Sequence, residues 1–326
     1  MPKLCVIPGD GIGREVIPAA VEVLQAVVPE LVLVEADAGW ETFLQKGVSV
    51  PEETLTAVRQ CGAGLFGAVS SPSRKVVGYR SAILTMRQAL GLYANIRPVR
   101  SWPGVSPRPG VDMLIVRENT EGLYSGRERL EGDTAVAERI ITRQASRRIA
   151  TKAMALCIAA NRQKVTIVHK ANVLPVSDGV FRDTVREVAA GYSVTIDELL
   201  VDVAALKMVS EPERFDVVVT TNLFGNILSD AAAHWCGGLG MAPSLNWGDG
   251  VAVAEPVHGS APDIAGQGVA NPIAAVLSGA LLARYVWGLA DEANRIETAV
   301  SRTLAGGSLP TTTTGITKAI LQQLAS

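Results

Sequence analysis

The regular alternation of short strand-like runs with helical patterns is the feature that most constrains the fold of this chain. It begins with LCVIP, continues through a turn that contains Gly9, Gly11 and Gly13, and enters the amphipathic segment REVIPAAVEVLQAVV. The apolar runs MLIV, KVTIV and FDVVVTT continue the same rhythm. Short apolar runs between segments of helical period are typical of α/β proteins, so the sequence predicts an α/β fold.

Length and local composition predict how the chain is divided. A chain of 326 residues is long enough for two lobes. The proline-rich stretch 97–110 is the best candidate for a crossing between lobes, and a second crossing is expected near 246–250. The polar segment 125–138 has weak periodicity, which favours an exposed arm.

Charge and cysteine usage exclude several classes of protein. The balance of 30 Lys+Arg against 32 Asp+Glu provides no field for nucleic acid or an anionic membrane. The 4 cysteines lie singly, which favours reduced thiols over disulfides or a zinc cluster. The apolar stretch 270–290 contains Asn271, Pro272 and Arg284, which indicates a buried core helix. The start MPKLCVIP does not resemble a signal peptide, so we expect a cytoplasmic protein.

The glycine turn PGDGIG follows a strand and opens a helix, where backbone amides can approach an anionic ligand. Its GxGxG spacing differs from the GxGxxG of a Rossmann turn. A merely tight turn between strand and helix explains the motif about as well.

Three arginines and a tyrosine form the second signal. Arg87 and Arg97 flank QALGLYANI, and Arg117 and Tyr124 lie in VRENTEGLY. The planar guanidinium of arginine binds a carboxylate with two parallel hydrogen bonds, so three arginines favour a substrate with more than one carboxylate. For each arginine alone, a surface salt bridge is the simpler explanation.

A lysine and three oxygen donors form the third signal. Lys170 ends the strand run KVTIV, where partial desolvation would suit a base, although a solvated lysine is the simpler explanation. Asn226 and Asp230 stand one helical turn apart, and with the distant Asp202 they suit Mg²⁺ or Mn²⁺. As alternatives, Asn226 caps the helix that it begins and Asp230 is a solvated charge.

The loop EPVHGSAPDIAGQGVANP, at 255–272, is rich in glycine and proline. An acidic side chain in such a loop can accept hydrogen bonds from a ribose diol and repel a 2′-phosphate. Asp263 is the candidate.

Taken together, PGDGIG, LYANIRP, VRENTEGLY, HKANVLP, TTNLFGNILSD and HGSAPDIAGQGVANP resemble the β-hydroxyacid oxidative decarboxylases. This family includes isocitrate, isopropylmalate and homoisocitrate dehydrogenases, and the motifs cover nearly the whole chain in the family's order. The resemblance implies a two-lobed α/β isopropylmalate dehydrogenase-like fold with a long mixed sheet, which is not a Rossmann fold. It implies a large cofactor-binding lobe of 1–97 and 247–326, and a small lobe of 98–246 with the dimer interface and the arm.

The resemblance also assigns roles, in active sites shared across a homodimer or a tetramer of such dimers. It makes Tyr124 the proton donor to the enol carbon and Lys170, from the partner, the base. The substrate, a small dicarboxylic or tricarboxylic hydroxy acid, would meet Ser71, Leu84, Arg87, Arg97, Arg117 and Asn172. Mg²⁺ or Mn²⁺ would be held by Asp202 from the partner, Asn226 and Asp230. NAD would meet Gly11, Ile12, Glu255, His258, Gly259, Ser260, Ala261, Asp263 and Asn271, and Asp263 indicates NAD because NADP-dependent relatives carry a basic residue there.

The variable loop favours one member of the family. Ser70, Ser71 and Pro72, followed by SRKVVGY, resemble homoisocitrate dehydrogenases, which act in lysine biosynthesis. An apolar Leu84, where some relatives carry arginine, indicates poor use of isocitrate. Isopropylmalate dehydrogenase, with an apolar substrate arm, is the alternative.

Two positions depart from the family pattern. Asn226 stands where relatives carry a metal-binding aspartate, so one formal charge is lost beside the ion. The tail GGSLPTTTTGITKAIL lacks the usual DLGG string, which affects the cofactor edge. Asn226 also supports a further alternative, a family-shaped regulatory subunit with a weakened metal site.

Overall fold

The structure is a computed structural model that describes residues 1–74 and 76–325. Its strands are β1 (Lys3–Gly9), β2 (Val32–Glu35), β3 (Ala63–Ala68), β4 (Ala94–Arg100), β5 (Asp112–Glu118), β6 (Glu128–Glu131), β7 (Thr134–Ala137), β8 (Lys164–His169), β9 (Thr195–Leu200), β10 (Val217–Thr220), β11 (Pro243–Trp247) and β12 (Ala252–Pro256).

The chain has eleven helices in its described part, and short 3-10 turns supplement them. They are α1 (Gly13–Val27), α2 (Trp40–Lys46), α3 (Glu52–Cys61), α4 (Ala82–Ala89), α5 (Arg143–Ala159), α6 (Ser177–Ala189), α7 (Val201–Ser210), α8 (Asn222–Ala232), α9 (Ile273–Tyr285), α10 (Ala290–Ala305) and α11 (Thr313–Ala325).

Local chemistry explains where individual helices begin and end. Helix α3 follows Pro51, carries Glu52 and Glu53 in its first turn and ends at Gly62 in the left-handed region, with φ 71°. Acidic residues favour a helix start, and glycine favours a left-handed end. Helix α9 is buried along most of its length, which confirms the predicted core helix.

The chain forms two compact units. Unit 1 contains the described residues of 1–92, 102–109 and those from 236 onward, and unit 2 contains 93–101 and 110–235. The predicted α/β class with a long mixed sheet is confirmed, since five strands from each unit belong to a ten-stranded mixed sheet.

The observed divisions differ from the boundaries at 97/98 and 246/247 that the resemblance implied. The second division falls at 235/236, and the proline-rich stretch 102–109 belongs to unit 1. In that stretch Trp102 is buried, and a Cβ on Gly104 would lie 3.0 Å from the Leu304 carbonyl oxygen of α10. The stretch therefore packs onto unit 1 as a loop.

Unit 1 has the strand order β2-β1-β3-β12-β11. All neighbouring pairs are parallel except β11 and β12, which are antiparallel. Cys5, Ile7, Phe66, Met86 and Val253 belong to its hydrophobic core. The β1–β3 register sets Gly9 opposite Ala68, so the glycine turn begins at the carboxyl end of these strands.

Unit 2 has the strand order β4-β5-β10-β8-β9. The β4–β5 pair is antiparallel, and the others are parallel. The register sets Arg117 of β5 opposite Thr220 of β10 and Thr220 opposite Val168 of β8. The carboxyl ends of these strands therefore share one edge of the sheet, where α/β proteins place ligand-binding groups.

The polar segment 125–138 contains the hairpin β6–β7, paired from Glu128 with Ala137 to Glu131 with Thr134. All four residues of β6 are exposed, including Leu130 at 72%. The expected exposed arm is thus a two-stranded ribbon in unit 2.

No helix in the described part of the chain is long and apolar enough to span a membrane. The thiols of Cys5, Cys61, Cys157 and Cys236 are all free, and Cys61 alone among them is only half-buried.

Candidate active site

The glycine turn lies directly against the loop 255–272, which we call the cofactor loop. The Ile12 amide donates to the Ser260 carbonyl oxygen at 2.9 Å. Gly11 has φ 54°, and a Cβ there would lie 2.1 Å from that same oxygen. Only glycine permits this approach, so the turn packs tightly on the cofactor loop. The structure thus brings Gly11 and Ile12 together with Ser260.

His258 presents an unpartnered polar atom in the cofactor loop. Its Nδ1 lies 3.0 Å from the Gly259 carbonyl oxygen, and its buried Nε2 has no hydrogen-bond partner. Burial lowers the pKa of His258, which favours a neutral imidazole. Ala261, two residues beyond Gly259, has φ 38°, a strained conformation for a residue other than glycine. A strained loop with an orphaned nitrogen fits a polar ligand such as a nucleotide.

The remaining predicted cofactor residues lie further along this loop. Asp263 is exposed, and its backbone oxygen accepts from the Gln267 side chain at 2.8 Å. Asn271 accepts from the Ile273 amide at 3.0 Å, at the start of α9. Asp263 is thus open to a ligand, whereas the Asn271 carbonyl already stabilises a helix.

Two residues that hold the cofactor loop were not expected from the sequence. Glu15 of α1 accepts from the Gly266 amide at 2.6 Å. Thr313 donates its amide to the Gly268 carbonyl at 2.8 Å and its hydroxyl to the Ala270 carbonyl at 2.6 Å. The altered tail thus closes on the loop through Thr313, and the threonine run was the only signal of it.

Arg87 and Glu255, predicted for substrate and cofactor, pair with each other in unit 1. Arg87 Nη2 lies 3.0 Å from Glu255 Oε1, and Asn246 bonds both side chains, at 3.1 and 2.8 Å. The pair is mostly buried, since the side chains are 8% and 13% exposed. Leu84 lies three residues before Arg87 on α4 and is half-buried, and Ser71 is exposed.

Arg97 in unit 2 is held by α8 and by its own strand. It donates to Ser229 Oγ at 2.7 Å and to Asn95 Oδ1 at 2.8 Å, and it forms an ion pair with Asp230. Its side chain is 9% exposed, whereas that of Asp230 is 45% exposed. A buried guanidinium therefore faces a carboxylate that remains open to solvent and to a ligand.

Arg117 is 1% exposed and contacts three other groups. It donates to Asn222 Oδ1 at 2.7 Å and to Asn226 Oδ1 at 2.6 Å, and its guanidinium carbon lies 5.1 Å from the centre of the Tyr124 ring. A Cβ on Gly225 would lie 2.7 Å from Arg117 Cγ, so glycine makes room for this arginine. A carboxylate binder, a phenol and an oxygen donor of α8 are thus adjacent.

Lys170 follows β8 and pairs with Asp202 of α7, Nζ to Oδ1, at 2.7 Å. This hydrogen bond holds the pKa of Asp202 below its usual value. The Lys170 amide donates to Asp178 Oδ2 at 2.6 Å, and Asp178 pairs with Arg139. Asp178 and Arg139, which the sequence did not single out, therefore position the lysine, while Asn172 is exposed.

The predicted metal ligands are oxygen donors of the kind that hard divalent ions prefer. Asn226 and Asp230 lie within α8, so the interpretation of Asn226 as the cap of that helix is wrong: the helix begins at Asn222, one turn earlier. Among the described residues, no three His, Cys, Asp or Glu side chains of one chain are placed to hold an ion. These donors fit Mg²⁺ or Mn²⁺. Because one of the three is an amide, the set carries less negative charge than three carboxylates would.

The family model for isocitrate/isopropylmalate dehydrogenases matches residues 3–322. The chain belongs to this family. Its fold is similar to the crystal structure of isocitrate dehydrogenase from Methylococcus capsulatus, with a TM-score of 0.95. The two chains are 40% identical, and the match covers 100% of each.

Relatives in the isocitrate/isopropylmalate dehydrogenase family carry different names. The isocitrate/homoisocitrate dehydrogenase of Thermus thermophilus is 52% identical over 99% of both chains. The 3-isopropylmalate dehydrogenase of Methanothermobacter thermautotrophicus is 47% identical over 94% of this chain and 91% of the relative. These dehydrogenases oxidise and decarboxylate small hydroxy acids with a nicotinamide cofactor, generally with a divalent metal.

Proposed function

We propose that this protein oxidises homoisocitrate with NAD and releases 2-oxoadipate and carbon dioxide, in the cytoplasm and in lysine biosynthesis. The alternative substrate is 3-isopropylmalate, of leucine biosynthesis. A weakened regulatory subunit of the family is the second alternative, and only Asn226 favours it.

The single observation that carries the chemistry is the contact of Arg117 with both Tyr124 and Asn226. It joins a group that binds carboxylates, a group that carries a proton and an oxygen donor of α8. A regulatory subunit would have no chemical need for the phenol beside the guanidinium. Catalysis therefore explains this set of residues better than binding alone.

The chain's own residues have distinct tasks in the proposed reaction. Arg87, Arg97 and Arg117 hold the substrate carboxylates through their planar forks. The hydroxyl proton of the substrate passes to Lys170 of a second copy as the carbinol is oxidised. After carbon dioxide leaves, the Tyr124 hydroxyl protonates the resulting carbon.

NAD would be held by the glycine turn and the cofactor loop. When bound, it supplies the acceptor for the hydride from the carbinol carbon. The exposed Asp263 carboxylate would bond a ribose diol and repel a 2′-phosphate, and the neutral His258 offers its unpartnered Nε2 to the adenosine half.

Mg²⁺ or Mn²⁺ would be held by Asn226 and Asp230 of one chain and Asp202 of a second copy. The ion supplies positive charge where negative charge develops on the substrate oxygen during decarboxylation. Asn226 offers one oxygen but no charge, and Arg117 already donates to that oxygen. We therefore propose weaker metal binding than three carboxylates would give.

The choice of homoisocitrate rests on α4 and on the loop before it. Leu84 lies one helical turn before Arg87 and adds no fourth cation for a further carboxylate close to the carbinol, which disfavours isocitrate. Ser71, in the loop before α4, is exposed and offers a hydroxyl to a longer arm of the substrate. A wholly apolar arm, as in isopropylmalate, would leave that hydroxyl without a substrate partner.

A homodimer, or a tetramer built from it, is supported by an apolar face on unit 2. Val203, Leu206 and Val209 of α7 and Ile227 of α8 are exposed by 36%, 67%, 64% and 56%. Contiguous exposed aliphatic residues of this kind mark protein interfaces. Asp202 precedes Val203 on α7, so a second copy on this face would receive Asp202 and Lys170 near its own α8.

The deciding experiment follows NADH absorbance with homoisocitrate, 3-isopropylmalate and isocitrate, each with Mn²⁺ and with chelator. Turnover of homoisocitrate that requires Mn²⁺ supports the proposal. If the protein prefers 3-isopropylmalate, that acid takes the place of homoisocitrate as the proposed substrate. If the wild type forms no NADH with any of the three acids and Asn226→Asp does, the scaffold is that of the enzyme and its metal site is disabled. If Asn226→Asp forms no NADH either, the regulatory subunit is favoured.

A further inference from the structure

Ser70 connects two parts of unit 1 to which different ligands have been assigned. It opens the segment of 70–74 and 76–80, which we call the substrate-arm loop because it includes Ser71. Its hydroxyl lies 2.8 Å from the hydroxyl of Ser260 in the cofactor loop, which is 190 residues away in sequence. Ser260 is 7% exposed, so this contact is largely shielded from water.

The backbone of Ser70 is also bonded on both sides. Its amide donates to Asp10 Oδ2 at 2.8 Å, and its carbonyl accepts from the Tyr79 hydroxyl at 3.1 Å. All three polar groups of Ser70 therefore have a partner: its amide and hydroxyl bond to other segments, and its carbonyl bonds within the substrate-arm loop. A residue fixed in this way cannot shift without breaking a hydrogen bond.

The two backbone partners are themselves rigid. Asp10 is 1% exposed and also accepts from the Trp40 and Glu41 amides at 2.7 and 3.1 Å. The Tyr79 ring packs edge-on against Trp40 and Phe43, with centroid distances of 5.0 and 5.2 Å. Asp10 thus ties Ser70 to the glycine turn and the start of α2, and Tyr79 packs the substrate-arm loop onto α2, so movement of Ser260 would be passed to this loop through Ser70.

We propose that Ser70 is a positioning residue that couples the cofactor loop to the substrate-arm loop, so that occupancy of one orders the other. The inference rests on the proposed function, in which these loops receive NAD and the variable arm of the hydroxy acid. Thermodynamic linkage makes this coupling reciprocal. If NAD orders the substrate-arm loop, NAD also binds more tightly when the substrate has already ordered that loop.

Amide hydrogen exchange by mass spectrometry tests the coupling with NADH alone, without turnover. In the wild type, NADH should slow exchange in peptides from both loops. In Ser70→Ala the cofactor loop should stay protected, and the protection of the substrate-arm loop should fall by about 2- to 10-fold, the range of one net hydrogen bond. Ser70→Thr keeps the hydroxyl and should restore protection, and Ser193→Ala, at an exposed serine of unit 2, should match the wild type.

A second variant guards against misfolding of Ser70→Ala. Tyr79→Phe keeps the aromatic packing and removes the hydroxyl that bonds to the Ser70 carbonyl and the Ser71 side chain, so it should weaken the same protection, whereas Tyr192→Phe should not. Full protection of the substrate-arm loop in Ser70→Ala overturns the coupling, as does wild-type protection confined to the cofactor loop. If NADH protects neither loop in the wild type, the proposed cofactor site itself fails.

Discussion

The two units build their parts of the candidate site in different ways. In unit 1 the glycine turn and the cofactor loop meet through backbone, as in the Ile12 amide on the Ser260 carbonyl, although Arg87 and Glu255 also form an ion pair there. In unit 2 they join charged side chains, as in Arg97 with Asp230 and Lys170 with Asp202. A backbone cradle is complete before its ligand arrives, whereas ion pairs must exchange partners when a charged substrate binds. Under the proposed function, we expect the glycine turn and the cofactor loop to be preformed for NAD, and the ion pairs of unit 2 to rearrange when the substrate binds.

The strongest way to break this contrast is Gly11→Ala. The added Cβ would lie 2.1 Å from the Ser260 carbonyl oxygen at φ 54°, so either the turn or the cofactor loop must move. We expect NADH affinity, measured by fluorescence titration, to fall by about 100-fold or more, since strain of this kind is worth about 1–3 kcal/mol before the collision is added.

Gly47→Ala is the matched control for this variant. Gly47 has φ 73°, but a Cβ there meets nothing within 4 Å. It should lose some thermal stability and keep its NADH affinity. Equal NADH affinity in Gly11→Ala and the wild type would show that the cradle is not needed.

A second prediction tests whether unit 2 depends on another copy of the chain. Tyr124→Phe and Lys170→Met should each be inactive alone. If the lysine serves a neighbour's site, refolding the two variants together should restore about a quarter of wild-type activity, because half of the dimers then contain one intact site. The measurement is the rate of NADH formation, and each variant refolded with itself is the control.

A mixture that stays inactive would mean that each chain supplies its own base. Leu206→Glu adds an independent check, because a charge on the apolar face should shift the protein to monomers in sedimentation and abolish the recovery.

The smallest expected effect concerns the neutral imidazole of the cofactor loop. Burial lowers the pKa of His258, so the unfolded chain binds the proton more readily. This stability is present above the ordinary histidine pKa and is lost as the pH falls through it toward the folded value. The melting temperature of the wild type should therefore fall more than that of His258→Asn between pH 7.5 and pH 5.5, by a few degrees at most.

Parallel curves for the two proteins over that range would mean that His258 does not titrate differently in the folded state. Above pH 8, where the folded and the unfolded chain both carry a neutral imidazole, the difference in melting temperature between the two proteins should not change with pH.

The sequence predicted β1, β5, β8 and β10 from their apolar runs, α1 from its helical period and α9 from its apolar length. It also placed Arg117 and Lys170 at strand ends, which the parallel register of unit 2 brings to one edge. Their motifs supplied the family, and the site roles carried over from it stay predictions.

Other features could not be read from the sequence because they depend on distant partners. Arg87 and Glu255 are 168 residues apart, and nothing local marks them as a pair. Asp178 looks like an ordinary acidic residue of a helix start until its carboxylate is found beneath the Lys170 amide. The loop 102–109 has the composition of a linker, and only its packing beside Leu304 assigns it to unit 1.

The β6–β7 ribbon has a consequence of its own. A lone pair of strands is marginal in water because it has too little apolar surface to bury, and here every residue of β6 faces solvent. Under the proposed dimer, we therefore expect this ribbon to be ordered by contacts with a second copy more than by contacts within its own chain. Under the proposed dimer, the ribbon's backbone amides become a gauge of assembly that can be read without substrate, cofactor or metal.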